Sequence, residues 1–168
     1  MEFEDIIRKR TSVRKFSDIK LEQEKLDKIL EAGRLAPTAK NNQPIKIYVI
    51  NSNVGIDKID KASRCRYGAK TILIVCGNKE DAYHKGEYTT AEMDSCIVAT
   101  HMMLEATNIG VDNIWVESFD ENILREEFDI PNKYTPFLLM SLGYKAEDCP
   151  MNPLHDRRKT IKEIVEYK

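Results

Sequence analysis

Apolar residues in the first quarter of the chain recur at helical spacing, and further on they gather into short runs separated by polar turns. Phe3, Ile6 and Ile7 give one apolar side to a short N-terminal helix, and Leu26, Ile29 and Leu30 predict a second helix over Glu22 to Leu35, with Pro37 just beyond its end. Residues 36 to 44 then form a polar loop bracketed by Pro37 and Pro44. Ile45 to Ile50 reads as a strand, Ile56 to Ala62 as a short helix, and Thr71 to Cys76 as a continuous apolar strand. Residues 77 to 89, with Tyr83, His84 and Tyr88, read as a polar surface loop. Thr90 to Asn108 is the longest helix, roughly 28 Å at ~1.5 Å per residue. It is rich in Met, Ala and Cys on nearly all sides, as suits a helix covered by more than one neighbour, and Gly110 is placed to stop it. A strand at Val111 to Val116, a helix capped by Asp120 and ended at Ile130-Pro131, a strand at Pro136 to Leu142 and a helix from about Thr160 complete the pattern.

Strands and helices alternate, but the spacing after Tyr134 allows no regular βαβ crossover, which favours an α+β sheet flanked by helices over a doubly wound fold. No repeat, linker or low-complexity stretch divides residues 1–168, so one domain is expected. At 168 residues it should bury roughly 70% of the surface of its unfolded chain without staples.

Charge and composition exclude several functions. With 26 Lys and Arg against 28 Asp and Glu, the formal charge of −2 provides no basic field for nucleic acid or an anionic membrane. All seven glycines are isolated, so neither a dinucleotide fingerprint nor a P-loop is present. A phosphate would have to be held mainly by side chains and helix N-termini. Cys65, Cys76, Cys96 and Cys149 lack C-x-x-C spacing, and His84, His101 and His155 are scattered, so zinc and iron–sulfur sites are not expected. Without an apolar N-terminal leader or a spanning run, the expectation is a reduced, soluble, cytoplasmic protein.

Four constellations could carry chemistry. Arg8 to Lys15 holds five cations in eight residues. In extended chain, Arg10, Ser12 and Arg14 share a face and present two guanidinium groups and a hydroxyl to one anion. A solvated basic helix end explains the same residues. The loop from Pro37 to Pro44 concentrates amides that suit a heteroaromatic ring edge, or it is simply a polar turn. The strand end Trp115 to Asp120 either borders a site or combines a core Trp with a helix cap. Asp156 to Lys159, before the last helix, reads alone as a solvated charge run.

Their order along the chain is more informative than any one of them. Arg10-Thr-Ser-Val-Arg-Lys-Phe16, Ala36-Pro-Thr-Ala-Lys-Asn-Asn-Gln-Pro44, the small-residue helix ending in Asn-Ile-Gly110, Ile-Trp-Val-Glu117, Ile130-Pro-Asn-Lys-Tyr134, Leu142-Gly-Tyr144 and Arg158 to Val165 together resemble the FMN-dependent nitroreductase family, from Ile6 to Val165. The R-x-S-x-R stretch and the P-[ST]-x-x-N-x-Q-P loop are the most specific parts.

The resemblance implies a three-layer α+β fold with a mixed, mostly antiparallel central sheet and a C-terminal arm reaching the partner subunit. It implies a homodimer with FMN in the interface, NAD(P)H as electron donor, and a nitroaromatic, quinone or similar small molecule as acceptor in a ping-pong cycle. Arg10, Ser12 and Arg158 would hold the FMN phosphate with Thr11 beside them, and Arg14 would sit near the N1 and O2 edge of the ring. Pro37, Thr38, Ala39 and Asn41 would come from the partner, while Trp115, Val116, Glu117 and Ser118 would border the ring, the Glu117 N–H facing flavin N5. No catalytic side chain or metal is implied, because the flavin carries the chemistry. Ile45, Ala69-Lys70, His101 and Ser118 depart from the family pattern, Ser118 nearest the ring, and the chain lacks the helical excursion of longer members. Residues 77 to 89 are then the candidate lid. A specialised flavoprotein of the same fold (dehalogenating, flavin-modifying or binding flavin without NAD(P)H turnover) and a noncatalytic anion-binding module are the competing readings.

Overall fold

A computed structural model describes residues 2–168. In chain order the elements are helix α1 (Phe3–Lys9), α2 (Gln23–Leu35), a 3₁₀ turn (Ala39–Asn41), strand β1 (Ile45–Ile50), α3 (Asn53–Ala62), β2 (Thr71–Asn78), β3 (His84–Lys85), β4 (Tyr88–Thr89), α4 (Ala91–Asn108), β5 (Asp112–Val116), α5 (Glu121–Glu127), β6 (Tyr134–Gly143) and α6 (Ile161–Ile164). Four strands form an antiparallel sheet in the order β1-β2-β6-β5. Its one parallel pairing is an isolated bridge between Ser12 and Asn113, so the expected mixed, mostly antiparallel sheet is present.

The continuous apolar run of β2 determines the layering. All eight of its residues are buried. Successive strand side chains point to opposite faces, so Ile72, Ile74 and Cys76 join one core with Ile56 and Ile59 of α3, Leu124 of α5 and Phe16. Leu73 and Val75 join another, with Leu26 and Ile29 of α2 and Val98, Ala99 and Met102 of α4. The result is helices, sheet, helices. Burial pushes the Cys76 thiol up to about 12, which keeps it neutral and makes it a packing residue. All four cysteines are free.

The long helix ends as the position of Gly110 requires. Gly110 takes φ +74, its N–H donates to Thr107 O at 3.2 Å, and the Val111 N–H donates to Ala106 O at 2.8 Å. These are the two bonds of a Schellman close. Several boundaries differ from the sequence reading; β6, for one, begins at Tyr134 rather than Pro136. Helix α5 stops at Glu127, before Ile130-Pro131, because Asp129 adopts φ +49 and the Ile130 N–H reaches back to Arg125 O at 3.1 Å. Helix α3 starts three residues early because Ser52 caps it, accepting from the Gly55 N–H at 3.1 Å. Residues 77 to 89 are not a plain loop: β2 runs on to Asn78, and His84–Lys85 pairs with Tyr88–Thr89 in a hairpin. Strands of two residues carry too little alternation to be read from sequence. Helix α6 is a single turn, held by a capping box between Thr160 and Glu163. No helix among the described residues is long and apolar enough to cross a membrane.

A tight seam joins β2 to the start of α4. A Cβ on Gly77 would lie 2.8 Å from Ala91 O, 2.8 Å from Phe137 Cε2 and 2.9 Å from Ser95 Oγ, so only glycine fits. Gly77→Ala is expected to force strand and helix apart and destabilise the protein by about 1–3 kcal/mol, the usual range for overpacking. A urea titration checks this: the midpoint should fall with an unchanged slope, and an unchanged midpoint would show that the seam has slack.

Candidate functional site

Helix α1 ends at Lys9, and Arg10 leaves it with φ −54 and ψ 120, so the chain from Arg10 onward is not helical. Val13 and Phe16 are buried anchors of this segment; the Val13 N–H donates to Asn113 O at 3.1 Å and the Phe16 N–H to Tyr67 O at 2.9 Å. Extended geometry puts Arg10 and Ser12 on one side, where Arg10 Nη1 lies 3.4 Å from Ser12 Oγ. Thr11 lines a separate cavity of about 210 Å³ with Lys9, Thr107, Asp112 and Asn113.

The structure divides the five cations of this stretch into different roles. Arg8 is paired with Glu4 at 2.6 Å, and Lys15 with Asp148. Arg10 and Arg14 form no ion pair among the described residues, and neither does Arg158, whose Nη1 donates to Arg157 O at 2.9 Å and Leu154 O at 3.3 Å. Arg158 is brought to Arg10 by the C-terminal segment, which crosses back over α1 with His155 Nε2 3.1 Å from Arg8 O. Burial, and then the charge of Arg158, pull the Arg10 guanidinium below its ordinary value. Two unneutralised guanidinium groups repelling each other beside a hydroxyl are groups that an anion could bridge. A cavity of about 670 Å³, lined by Glu4, Ile7, Arg8, His155, Asp156 and Arg158, opens next to them.

The strand end forms a second part. Trp115 is half-buried, and its Nε1–H donates to the Glu117 carboxylate at 2.8 Å, while Val116 is buried. The β5–β6 ladder stops at Val116 opposite Leu139, so Glu117 and Ser118 extend past it, both exposed. The Ser118 carbonyl accepts from Ser63 Oγ at 2.6 Å, and the Asp120 N–H donates to Ala62 O at 2.9 Å. Asp120 also caps α5, accepting from the Asn122 and Ile123 N–H groups at 2.9 and 3.1 Å, as the helix-cap reading of this stretch expects, while Trp115 is only partly buried.

Those bonds show a segment the sequence reading passed over. Residues 63–68, Ser-Arg-Cys-Arg-Tyr-Gly, bridge the strand end to the Arg10–Phe16 stretch, with Tyr67 at φ +56. The Tyr67 phenol is held above its usual range, first by its hydrogen bond with the Cys65 thiol and by burial, with Arg14 acting against both. Arg14, Cys65 and Tyr67 therefore form one cluster. The signal that could have found it is a basic, glycine-ended loop immediately before the most buried strand.

The third part is the loop from Pro37 to Pro44. Lys40, Asn41 and Gln43 have φ of +53, +58 and +51, and the loop is closed by the Gln43 N–H on Thr38 Oγ1 at 2.9 Å. Asn42 Nδ2 donates to Asp81 O at 2.9 Å, and Lys40 Nζ lies 4.4 Å from the centre of the Tyr83 ring, which ties the loop to the hairpin segment. Pro37, Thr38, Ala39 and Asn41 make no hydrogen bond with Arg10, Arg158 or Glu117 within this chain. Thus Arg10, Ser12 and Arg158 converge, Trp115 to Ser118 form an adjoining edge with the Arg14 cluster, and the amide loop stands apart. No group of three or more metal-ligating side chains is present among the described residues.

Comparison with known proteins finds relatives of the same fold. A protein of Archaeoglobus fulgidus, provisionally named an NADH dehydrogenase/NAD(P)H nitroreductase, is 27% identical over 155 residues, covering 88% of each chain. A nitroreductase of Exiguobacterium sibiricum, also provisionally named and solved in complex with FMN, shares the fold with a TM-score of 0.86 at 22% identity, over 100% of this chain and 98% of that one. A nitroreductase family protein of Clostridium difficile 630 superposes with a TM-score of 0.93 at 36% identity, covering 100% and 99% of the two chains. The profile of the nitroreductase family matches residues 7–67 and 65–144, and with the arginine pair, the amide loop and the Trp115–Ser118 edge in their expected order, this chain belongs to the nitroreductase family.

Proposed function

We propose that this protein is an FMN-dependent NAD(P)H oxidoreductase that works as a homodimer and reduces nitroaromatics, quinones or similar acceptors by two electrons in ping-pong order. The observation that carries the reading is the Arg10–Arg158 pair, two guanidinium groups without a carboxylate beside the Ser12 hydroxyl. A dianionic phosphate relieves their repulsion and satisfies their donors. The FMN-bound relative of the same fold and the NAD(P)H nitroreductase name of another support the same cofactor and donor.

FMN would supply hydride and electron transfer, chemistry that no side chain here provides. This chain's residues bind and orient it. Arg10, Ser12 and Arg158 take the phosphate, with Thr11 in the same backbone stretch. Arg14, exposed and free of ion pairs, places a cation where negative charge develops on the reduced ring. Trp115, Val116 and Ser118 would border the ring and the Glu117 backbone N–H, beyond the last ladder pair, would face N5, while the Trp115 indole holds the Glu117 carboxylate. Pro37, Thr38, Ala39 and Asn41 contact the FMN of the partner subunit.

The monomer's surface supports a dimer. β1 is the last strand of its sheet, leaving one edge unpaired among the described residues. Phe3, Ile7 and Met93 are exposed on α1 and α4, and Ile161, Ile164 and Tyr167 are exposed in the tail, Tyr167 at 91%. An apolar arm and an open strand edge on the same molecule suit exchange between two copies.

Three outcomes are expected. The purified protein should be yellow or bind added FMN, and NADH or NADPH should bleach it anaerobically; failure to bind FMN would overturn the reading, and binding without bleaching would favour a flavoprotein lacking NAD(P)H turnover. Arg10→Ala and Arg158→Ala should each weaken FMN binding by about 10- to 100-fold, as loss of charge-assisted hydrogen bonds implies, and titration of the apoprotein by flavin fluorescence measures it. Removing residues 160–168 should shift the protein from dimer toward monomer in sedimentation velocity, whereas an intact dimer at every concentration would exclude the arm.

A further inference from the structure

We propose that Asp94 is a positioning residue: from the buried first turn of α4 it holds the Pro37–Pro44 loop in the shape that contacts the cofactor. The inference rests on the reading of that loop as FMN-binding.

Asp94 is only 1% exposed, yet it faces no Lys, Arg or His in an ion pair among the described residues. A buried carboxylate without a cation persists only where donors satisfy it. Here Oδ1 accepts the Ala39 N–H at 2.9 Å and Oδ2 accepts the Thr90 hydroxyl at 2.8 Å. Its own N–H donates to Thr90 O at 2.7 Å, at the positive end of an 18-residue helix. One of the two side-chain donors belongs to the helix start. The other belongs to a loop 55 residues away in sequence.

That loop needs an external hold. Three of its residues, Lys40, Asn41 and Gln43, are left-handed, a conformation that side chains disfavour and that surrounding structure must impose. Its internal bonds, the Gln43 N–H to Thr38 Oγ1 at 2.9 Å and Gln43 Nε2 to Asn41 O at 3.2 Å, close the loop on itself without attaching it to the core. The contacts of Asn42 and Lys40 with Asp81 and Tyr83 lie at the exposed surface, where water competes, and the bond from the buried Asn78 N–H to Pro44 O at 2.7 Å holds only the far end of the loop, beyond the left-handed residues. The Ala39–Asp94 bond is charge-assisted and shielded, and it grips the loop one residue before the first left-handed position. Thr38 and Ala39 cannot move relative to α4 while it holds.

Titration of the dimeric apoprotein with FMN tests the assignment, read by flavin fluorescence and by the shape of the visible absorbance band. Asp94→Ala is expected to weaken FMN binding by about 10-fold or more, the effect of one charge-assisted hydrogen bond, and to speed amide exchange of residues 39–43 in the apoprotein. Asp94→Asn keeps an acceptor for Ala39 and a donor for Thr90, and should restore affinity to within about 3-fold. Ala39→Pro deletes the same bond from the loop side, at the first position of a 3₁₀ turn where proline is tolerated, and keeps the test decisive if Asp94→Ala does not fold. Combining the two substitutions should cost little beyond the larger single effect, because both remove one interaction. Unchanged affinity and exchange in Ala39→Pro, or additive losses in the double variant, would overturn the assignment while the unaltered protein still bound FMN. If the unaltered protein bound no FMN, the functional reading itself would fall and this inference with it.

Discussion

The burial of β2 on both faces is the constraint from which the rest of the structure follows. Antiparallel sheets commonly leave one face to water, but eight consecutive buried residues leave this strand no wet side. It therefore needs helices above and below, and the chain provides α2 and α4 on one face and α3 and α5 on the other. The approach of α4 is so close that Gly77 has no room for a side chain. The functional groups lie at the two ends of this packed strand: residues 63–68 lead into it, and Asn78, whose N–H donates to Pro44 O at 2.7 Å, leads out beside the amide loop.

Electrostatics select within that frame. The chain is nearly neutral overall, and several cations near the site are neutralised locally: Arg8 by Glu4, Lys15 by Asp148, Arg66 by Asp60. Exposed pairs of this kind contribute little to stability, but they decide which charges remain available. Arg10, Arg14 and Arg158 remain, as do Lys9, Arg64, Arg157 and Lys159, none of which has an ion pair among the described residues. In a weakly acidic protein the proposed anion site would come from the convergence of two of these unpaired cations, Arg10 and Arg158, beside Ser12 rather than from a basic surface.

Much of this was legible in the sequence. The strands and long helices announced themselves by period and by unbroken apolar runs, and the Schellman stop at Gly110 by a single isolated glycine. The Arg10-x-Ser12 spacing placed both groups on one side as alternation requires. What stayed hidden depends on contacts distant in sequence. Arg8 has a local partner in Glu4 one helical turn back, but the neighbour that sets Arg10 apart, Arg158, lies at the other end of the chain. Thr11 sits next to both anchors yet lines a different cavity, as the same alternation implies. The residue 63–68 bridge shows only when Ser63 is seen against Ser118. Asp94 is one of several polar positions on a helix rich in Met, Ala and Cys, and its burial is set by the fold.

The loop strain and the isolation of the amide loop from the arginine pair have a common consequence. A strained loop held only by surface contacts would sample many shapes, and a cofactor would have to order it on binding, losing affinity in doing so. Anchored at Ala39 to the first turn of α4, the loop instead moves with a helix of 18 residues that is packed against the sheet. That helix also presents Met93 and His101 outward. In the proposed dimer, a second copy docking on this outward face would therefore meet helix and loop as one preformed unit, and the separation between a subunit's own arginine pair and its partner's amide loop would be set by helix packing rather than by loop flexibility.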